Sequence, residues 1–203
     1  MSTMNTTELT APAVLHAILN RRSAAKLAAD RPPREVIEKL LEAAIRAPNH
    51  YLNEPWRFFV LTGSARDQLG DVLAERLRAQ LTDPASPQSR ATLERERKKP
   101  LRAPVLIAVA AAHTGNVHAL PAEDASATAA AVQNMLLAAP ALGLGTFWRT
   151  GEAAYDPAVK AFLGLQPEDQ IVAFVYVGYP EVLGDVTPRT GLDGKVDWRG
   201  WEE

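Results

Sequence analysis

Helical and strand-like patterns alternate along all 203 residues, and this alternation constrains the fold more than any other feature of the sequence. The helix-like segments cover residues 11–22, 34–46, 64–80, 89–99, 122–141 and 156–163. The strand-like segments are short and apolar or aromatic, and they cover residues 57–62, 105–111, 143–148 and 171–177. We therefore predict an α+β fold, arranged as an α/β-type sandwich in which helices flank a mixed central sheet.

Capping and turn residues mark several boundaries of these segments. Thr10 and Ser64 stand where helix N-caps are expected, because their hydroxyls can accept from the first free backbone N–H groups. Pro48 is expected to end the second helix, and Pro104 marks the entry to a buried strand. The charged run at residues 94–99 is interpreted as a solvated helix face.

Charge and composition exclude several classes of function. Lys and Arg number 22 and Asp and Glu number 24, so the formal net charge is -2. This balance argues against a nucleic-acid protein that works by neutralising phosphates. The chain has no cysteine, which excludes disulfides, thiolate catalysis, iron–sulfur clusters and zinc-thiolate sites. His16, His50, His113 and His118 form no recognisable ligand pattern, so we predict no metal site.

No targeting or membrane-spanning segment is predicted. Residues 1–10 have neither the basic nor the apolar region of a secretory signal. The longest apolar stretch, residues 103–112, is shorter than the roughly 20 residues that span a bilayer. We expect a soluble, cytoplasmic protein with one domain over residues 1–203, including a flexible N-terminus at 1–9 and an extended C-terminal tail at 184–203. Neither a membrane nor a nucleic-acid partner is expected.

Standard nucleotide-binding and hydrolase motifs do not occur, but three polar and aromatic clusters stand out. Residues 21–23 (RRS) offer guanidinium forks and a hydroxyl that suit a phosphate, although for this cluster alone favourable charge at a helix C-terminus is the simpler explanation. Residues 47–58 gather amides, an imidazole, a carboxylate and aromatics in one loop, where binding groups often lie. Residues 146–151 either line a planar anionic ligand or form an ordinary strand end.

Taken in this order, the three clusters resemble the FMN-dependent nitroreductase family, particularly its small NAD(P)H nitroreductase branch. The matching pieces are RRS at 21–23, RAPNHYLNEPWRFFV at 46–60, GLGTFWRTG at 143–151 and IVAFVYVGYP at 171–180. RRS alone has little specificity, whereas the ordered set is specific. The resemblance extends from about residue 9 to residue 180.

The resemblance implies a nitroreductase-like, intertwined homodimer with FMN at the subunit interface. It implies that FMN is bound by Arg21, Arg22, Ser23, His50, Glu54, Trp148, Arg149 and Thr150. His50, Glu54 or both would reach across from the partner subunit. A guanidinium suits the phosphate and the negative charge near flavin N1. Two positions depart from the family pattern, because Glu54 replaces a neutral amide and Lys26 stands where an arginine is common.

The implied activity is ping-pong electron transfer from NADH or NADPH through FMN to a nitro, quinone or similar acceptor. Flavin N5 carries this chemistry, so we predict no catalytic side chain. Two alternatives stay open: a flavin carrier or sensor without turnover, and a dimeric interaction protein without a chromophore. The alanine-rich segment 122–141 and the tail, which carries Trp198 and Trp201, both suit a subunit interface, and we expect the tail to wrap the partner.

Overall fold

The computed structural model describes residues 11–201. The helices are α1 Ala11–Asn20, α2 Arg34–Ala44, α3 Ser64–Arg78, α4 Pro87–Arg97, α5 Pro121–Ala138 and α6 Pro157–Phe162. The strands are β1 Lys26–Leu27, β2 Trp56–Leu61, β3 Val105–Ala111, β4 Gly145–Arg149, β5 Gln170–Gly178 and β6 Pro180–Val182. Short 3-10 turns lie at His50–Leu52, Lys99–Arg102, Ala139–Leu142 and Glu152–Tyr155.

A four-stranded sheet with the order β2-β3-β5-β4 forms the centre of the molecule, and β1 pairs with β6 in a separate two-stranded ladder. The predicted α+β class is confirmed. Within residues 11–201 every strand pairing is antiparallel, where we expected a mixture of directions. Strand direction depends on which end of the sheet each connection reaches, and the residue pattern of a strand does not encode it.

Helices cover both faces of the sheet, which is why β3 is apolar throughout. Its alternate residues Val105, Ile107 and Val109 pack in one core cluster with α2 and α5. The intervening residues of β3 belong to a second cluster with α3 and α6. A strand buried on both faces reads as a continuous apolar run rather than an alternating one. The predicted bounds of this strand are therefore confirmed.

The alanine-rich helix α5 is a core element. The segment Pro121–Leu142 has the length and apolar composition that could cross a membrane. In the fold, however, Ala131, Val132 and Met135 of this helix are completely buried against α2 and the sheet. Its apolar character is accounted for by this packing.

Some predicted boundaries shift. Thr10 and the predicted flexible segment 1–9 lie outside the described residues. Ser64 is the first residue of α3 and not its cap, because Gly63 adopts a φ of 49° and no side chain caps the helix. At α4, Ser86 is the N-cap and accepts from the Ser89 N–H at 3.2 Å, so the helix begins before residue 89.

Two segments of the described chain leave apolar side chains exposed to solvent. Helix α1 exposes Leu15 (57%) and Leu19 (70%), together with Val14 and Ile18. Residues 183–201 form neither helix nor strand and are exposed throughout. Such an arrangement is typical of surfaces that a further chain covers.

Candidate functional site

The RRS segment, residues 21–23, is held against the start of β4. Helix α1 ends at Asn20, whose side-chain amide donates to the His16 carbonyl at 2.9 Å. After the segment, the Ala24 N–H donates to the Thr146 carbonyl at 2.9 Å. Gly145 permits this approach, because a Cβ at that position would lie 2.7 Å from the Ala24 Cβ. The RRS segment is thus fixed beside an edge strand.

Arg22 has an unsatisfied buried donor. Its Nη1 donates to the Asn20 carbonyl at 3.3 Å, whereas its Nε is buried and has no hydrogen-bond partner among residues 11–201. A buried donor without an acceptor is costly. The Arg22 side chain also lines a cavity of about 440 Å³ together with Thr146 and Leu136. A phosphate or another anionic acceptor fits this arrangement, with Arg21 and Ser23 adjacent.

Lys26, which stands where the family pattern commonly has an arginine, has a partner within the chain. Its Nζ lies 2.5 Å from the Glu181 carboxylate across the β1–β6 ladder. The hydrogen bond to Glu181 raises the pKa of Lys26 above its ordinary value. In the single chain, Lys26 is therefore paired with Glu181.

The loop at residues 49–54 is fastened to the first turn of α5. The His50 Nδ1 lies 2.6 Å from a Glu123 carboxylate oxygen, and the Asn53 side-chain amide donates to Asp124 at 3.2 Å. The Glu54 backbone N–H donates to the Asn49 side chain at 2.8 Å. The Glu54 side chain is exposed and forms no ion pair within the described part of the chain.

The end of β4, residues 148–150, divides between the two faces of the sheet. Trp148 packs against the α2–α5 core cluster. The Arg149 guanidinium lies over the Phe147 ring, 4.2 Å from its centroid, on the face that α3 and α6 cover. Arg149 and Thr150 line a different cavity from the one that Arg22 lines. The two side chains of the predicted Trp-Arg pair therefore point away from each other.

Two of the three clusters lie at opposite ends of α5. The 49–54 loop contacts the helix at Glu123, whereas Arg22 shares a cavity with Leu136. At 1.5 Å per residue the helix rises about 20 Å between Glu123 and Leu136. One chain therefore does not bring His50 and Arg22 to the same point.

Sequence reasoning missed a second group of polar residues. Arg76, Arg102 and Tyr176 line the cavity that contains Arg149. They belong to α3, a 3-10 turn and β5, so no contiguous motif signals them. Only the packing of α3 and of the 3-10 turn beside β5 brings them together.

Solved structures with this architecture define the class of fold. A nitroreductase-like family protein from Bacillus cereus gives a TM-score of 0.75 at 26% identity, covering 93% of this chain and 96% of that one. A protein from Desulfovibrio desulfuricans, crystallised in complex with FMN, gives a TM-score of 0.69 at 29% identity, covering 93% of this chain and 98% of its own. The protein therefore has a nitroreductase-like fold.

Sequence comparison establishes the family. The "Putative NAD(P)H nitroreductase YdjA" of Escherichia coli strain K12 is 36% identical over 169 residues, covering 83% of this chain and 88% of the relative. YfhC of Bacillus subtilis strain 168, which has the same designation, is 31% identical over 179 residues, covering 86% of this chain and 88% of its own. The Nitroreductase family model matches residues 18–179. The chain belongs to the nitroreductase family, as its motifs predicted.

Proposed function

We propose that this protein is a cytoplasmic, FMN-dependent NAD(P)H oxidoreductase that reduces nitro, quinone or similar acceptors. Family membership supports flavin chemistry, as do the FMN complex of the Desulfovibrio relative and the NAD(P)H nitroreductase designation of YdjA and YfhC. When bound, FMN supplies the redox chemistry by taking electrons from NAD(P)H and passing them to the acceptor in ping-pong order. The side chains of the protein then bind and orient, and none needs to act as a nucleophile.

The buried, unpartnered Nε of Arg22 is the observation that carries this proposal. Arg21 and Arg22 supply fixed positive charge for the phosphate or the polar edge of the flavin, and Ser23 supplies a hydroxyl. We also assign residues 148–150 to the cofactor site. β4 is an edge strand, and its outward-facing backbone groups between residues 147 and 150 form no hydrogen bond with any described residue. Alternate residues of a strand face opposite edges, and the Thr146 carbonyl faces Ala24, so Trp148 and Thr150 present their main-chain groups at this outer edge. The Arg149 side chain lies over Phe147, on the other face of the sheet.

The cofactor site is proposed to lie between two copies of the chain. The separation of about 20 Å along α5 favours a second subunit as the source of the His50 and Glu54 that would join Arg22 at one ligand. The exposed apolar side chains of α1 and of the 183–201 segment supply surface for such a homodimer. The 49–54 loop, which α5 holds in place, is suited to reach across the interface.

Replacing Arg22 tests the assignment. We expect Arg22→Ala to purify largely colourless, because its guanidinium no longer holds the cofactor, whereas Arg90→Ala, which removes an exposed arginine on α4, stays yellow. The measurements are the visible spectrum, identification of heat-released FMN, and oxidation of NADH and NADPH with menadione or nitrobenzene. A fully yellow and active Arg22→Ala would contradict the assignment. Bound FMN without any oxidation of NADH or NADPH would favour the carrier alternative.

A further inference from the structure

A second cavity, of about 490 Å³, opens on the α3–α6 side of the sheet near the end of β4. Its floor is made of buried apolar side chains, among them Leu69, Leu106 and Phe174. We call it the arginine cavity, because its walls carry the cations Arg76, Lys99, Arg102 and Arg149. Its volume lies within the range of about 300–1,000 Å³ that small-molecule sites occupy.

Two of the four cations are paired within the chain. The Lys99 Nζ lies 2.5 Å from Glu96, and the Arg76 guanidinium contacts the Glu152 carboxylate at 3.2 Å. By contrast, Arg102 and Arg149 form neither an ion pair nor a hydrogen bond through their side chains with any residue in the range 11–201. Four lining cations against the two lining carboxylates leave the cavity with an excess of positive charge.

Two further groups in the arginine cavity can donate to a ligand. The Arg76 side chain is only 10% exposed, and its Nε is buried without a hydrogen-bond partner in the described chain. This Nε lies 4.0 Å from the Asp156 carboxylate. Burial raises the pKa of Tyr176, and the charges of Arg102 and Arg149 oppose this shift only in part. The Tyr176 hydroxyl therefore stays protonated at neutral pH and can donate.

We propose that the arginine cavity binds a small organic carboxylate, whose anionic group meets Arg102, Arg149 and the Tyr176 hydroxyl and whose apolar body rests on Leu69 and Phe174. Guanidinium groups match the planar, bidentate geometry of a carboxylate. The apolar floor favours an organic body over a bare inorganic anion. Glu96 and Glu152 would repel a ligand with several negative charges.

This site goes beyond the proposed redox function, because binding here requires no contact with a flavin. The test uses the purified protein with its bound FMN and 4-fluorobenzoate as the probe, observed by ¹⁹F NMR. The neutral 4-fluorobenzamide and inorganic phosphate are the comparison ligands. We expect saturable line broadening of 4-fluorobenzoate, at least tenfold weaker binding of the amide, and no displacement of the probe by equimolar phosphate.

Two variants locate the bound probe. We expect Arg102→Gln to weaken 4-fluorobenzoate binding by about tenfold or more, since a charged hydrogen bond contributes about 1.5–3 kcal/mol. Tyr176→Phe is expected to weaken probe binding severalfold. Arg95 is an exposed residue of α4 outside the cavity, so Arg95→Gln should leave probe binding unchanged. Absence of binding at millimolar probe would overturn the proposal. So would binding that both cavity variants leave intact, because the probe would then lie elsewhere. Either result leaves the redox proposal standing.

Discussion

Gly145 determines how closely the RRS segment approaches the sheet. A Cβ there would lie 2.7 Å from the Ala24 Cβ, 3.0 Å from the Leu27 Cδ2 and 3.1 Å from the Pro180 Cβ. The Ala24 Cβ and the Pro180 Cβ are fixed to their backbones, so neither can give way unless its segment of chain moves. Gly145 therefore helps to position Arg21 and Arg22, because it lets their segment lie close to β4.

Gly145→Ala is expected to lower the free energy of unfolding by about 1–3 kcal/mol, as overpacking does in a core. It should also reduce FMN retention, because the displaced Ala24 carries Arg22 with it. Chemical denaturation and the ratio of flavin to protein absorbance measure the two effects. Gly184→Ala is the matched control, since a Cβ at Gly184 meets nothing within 4 Å. Equal stability of the two variants would refute the packing explanation.

Because of Tyr176, the free energy of unfolding is expected to depend on pH in the alkaline range. The folded-state pKa of this residue is raised above the usual value of 10.0, chiefly by burial. Below pH 10 the phenol is neutral in both states. Above pH 10 the unfolded chain loses the proton first and binds fewer protons than the folded chain. The free energy of unfolding therefore falls as pH rises from 10 through the folded-state pKa.

We expect Tyr176→Phe to flatten this decline, by at most about 1.4 kcal/mol per pH unit. Urea unfolding between pH 9 and 11.5 measures the slope. Tyr155→Phe, which removes the hydroxyl of a 70% exposed tyrosine, should decline like the unmodified protein. Identical slopes for all three proteins would show that Tyr176 is not responsible.

At the scale of elements, the 49–54 loop is strained. Tyr51, Leu52 and Glu54 adopt φ values of 53°, 52° and 45°, in the left-handed region that non-glycine residues rarely occupy. Each such residue costs about 1–2 kcal/mol. Hydrogen bonds to α5 and Asn49 hold the loop in this conformation. Strain of this kind often accompanies functional loops.

Leu52→Asn is expected to raise the free energy of unfolding by up to about 1 kcal/mol, because asparagine tolerates the left-handed region. Leu52 is 83% exposed, so little packing is lost. The midpoint of urea denaturation measures the gain, and Leu192→Asn, in the exposed tail, serves as the control. An unchanged or lower midpoint for Leu52→Asn would mean that the loop is not strained.

The elements also separate what the sequence could predict from what it could not. Strand β3 was predicted with its correct ends, because burial on both faces makes all seven of its residues apolar. Strands β1 and β6 were missed, since two and three residues are too few to show a period. The RRS segment was visible because its residues are consecutive. The arginine cavity was not visible, because Arg76, Arg102 and Tyr176 are far apart in sequence and meet only through the packing of α3 and a 3-10 turn beside β5.

At the scale of the whole molecule, the proposed homodimer would complete the cofactor site. Helix α1 exposes an apolar face, and the proposed cofactor ligands stand at opposite ends of α5. If α1 lies in the proposed dimer interface, we expect Leu15→Glu to shift the protein from dimer to monomer, because a charge would replace an apolar contact there. Light scattering coupled to gel filtration measures the mass, and Val117→Glu, at a 90% exposed position, is the control. A Leu15→Glu protein with undiminished dimer mass would exclude α1 from the interface.

The exposed face of α1 has a consequence for the newly made chain. Among residues 11–201 nothing covers the apolar face of α1, so in the proposed homodimer this face would stay exposed until a second copy binds. The rate of that association scales with the square of the protein concentration. At low expression the monomer would therefore persist longer and be more exposed to proteolysis, whereas at high expression its lifetime would be shorter. The expression level would then determine what fraction of newly made chains reaches the dimeric state.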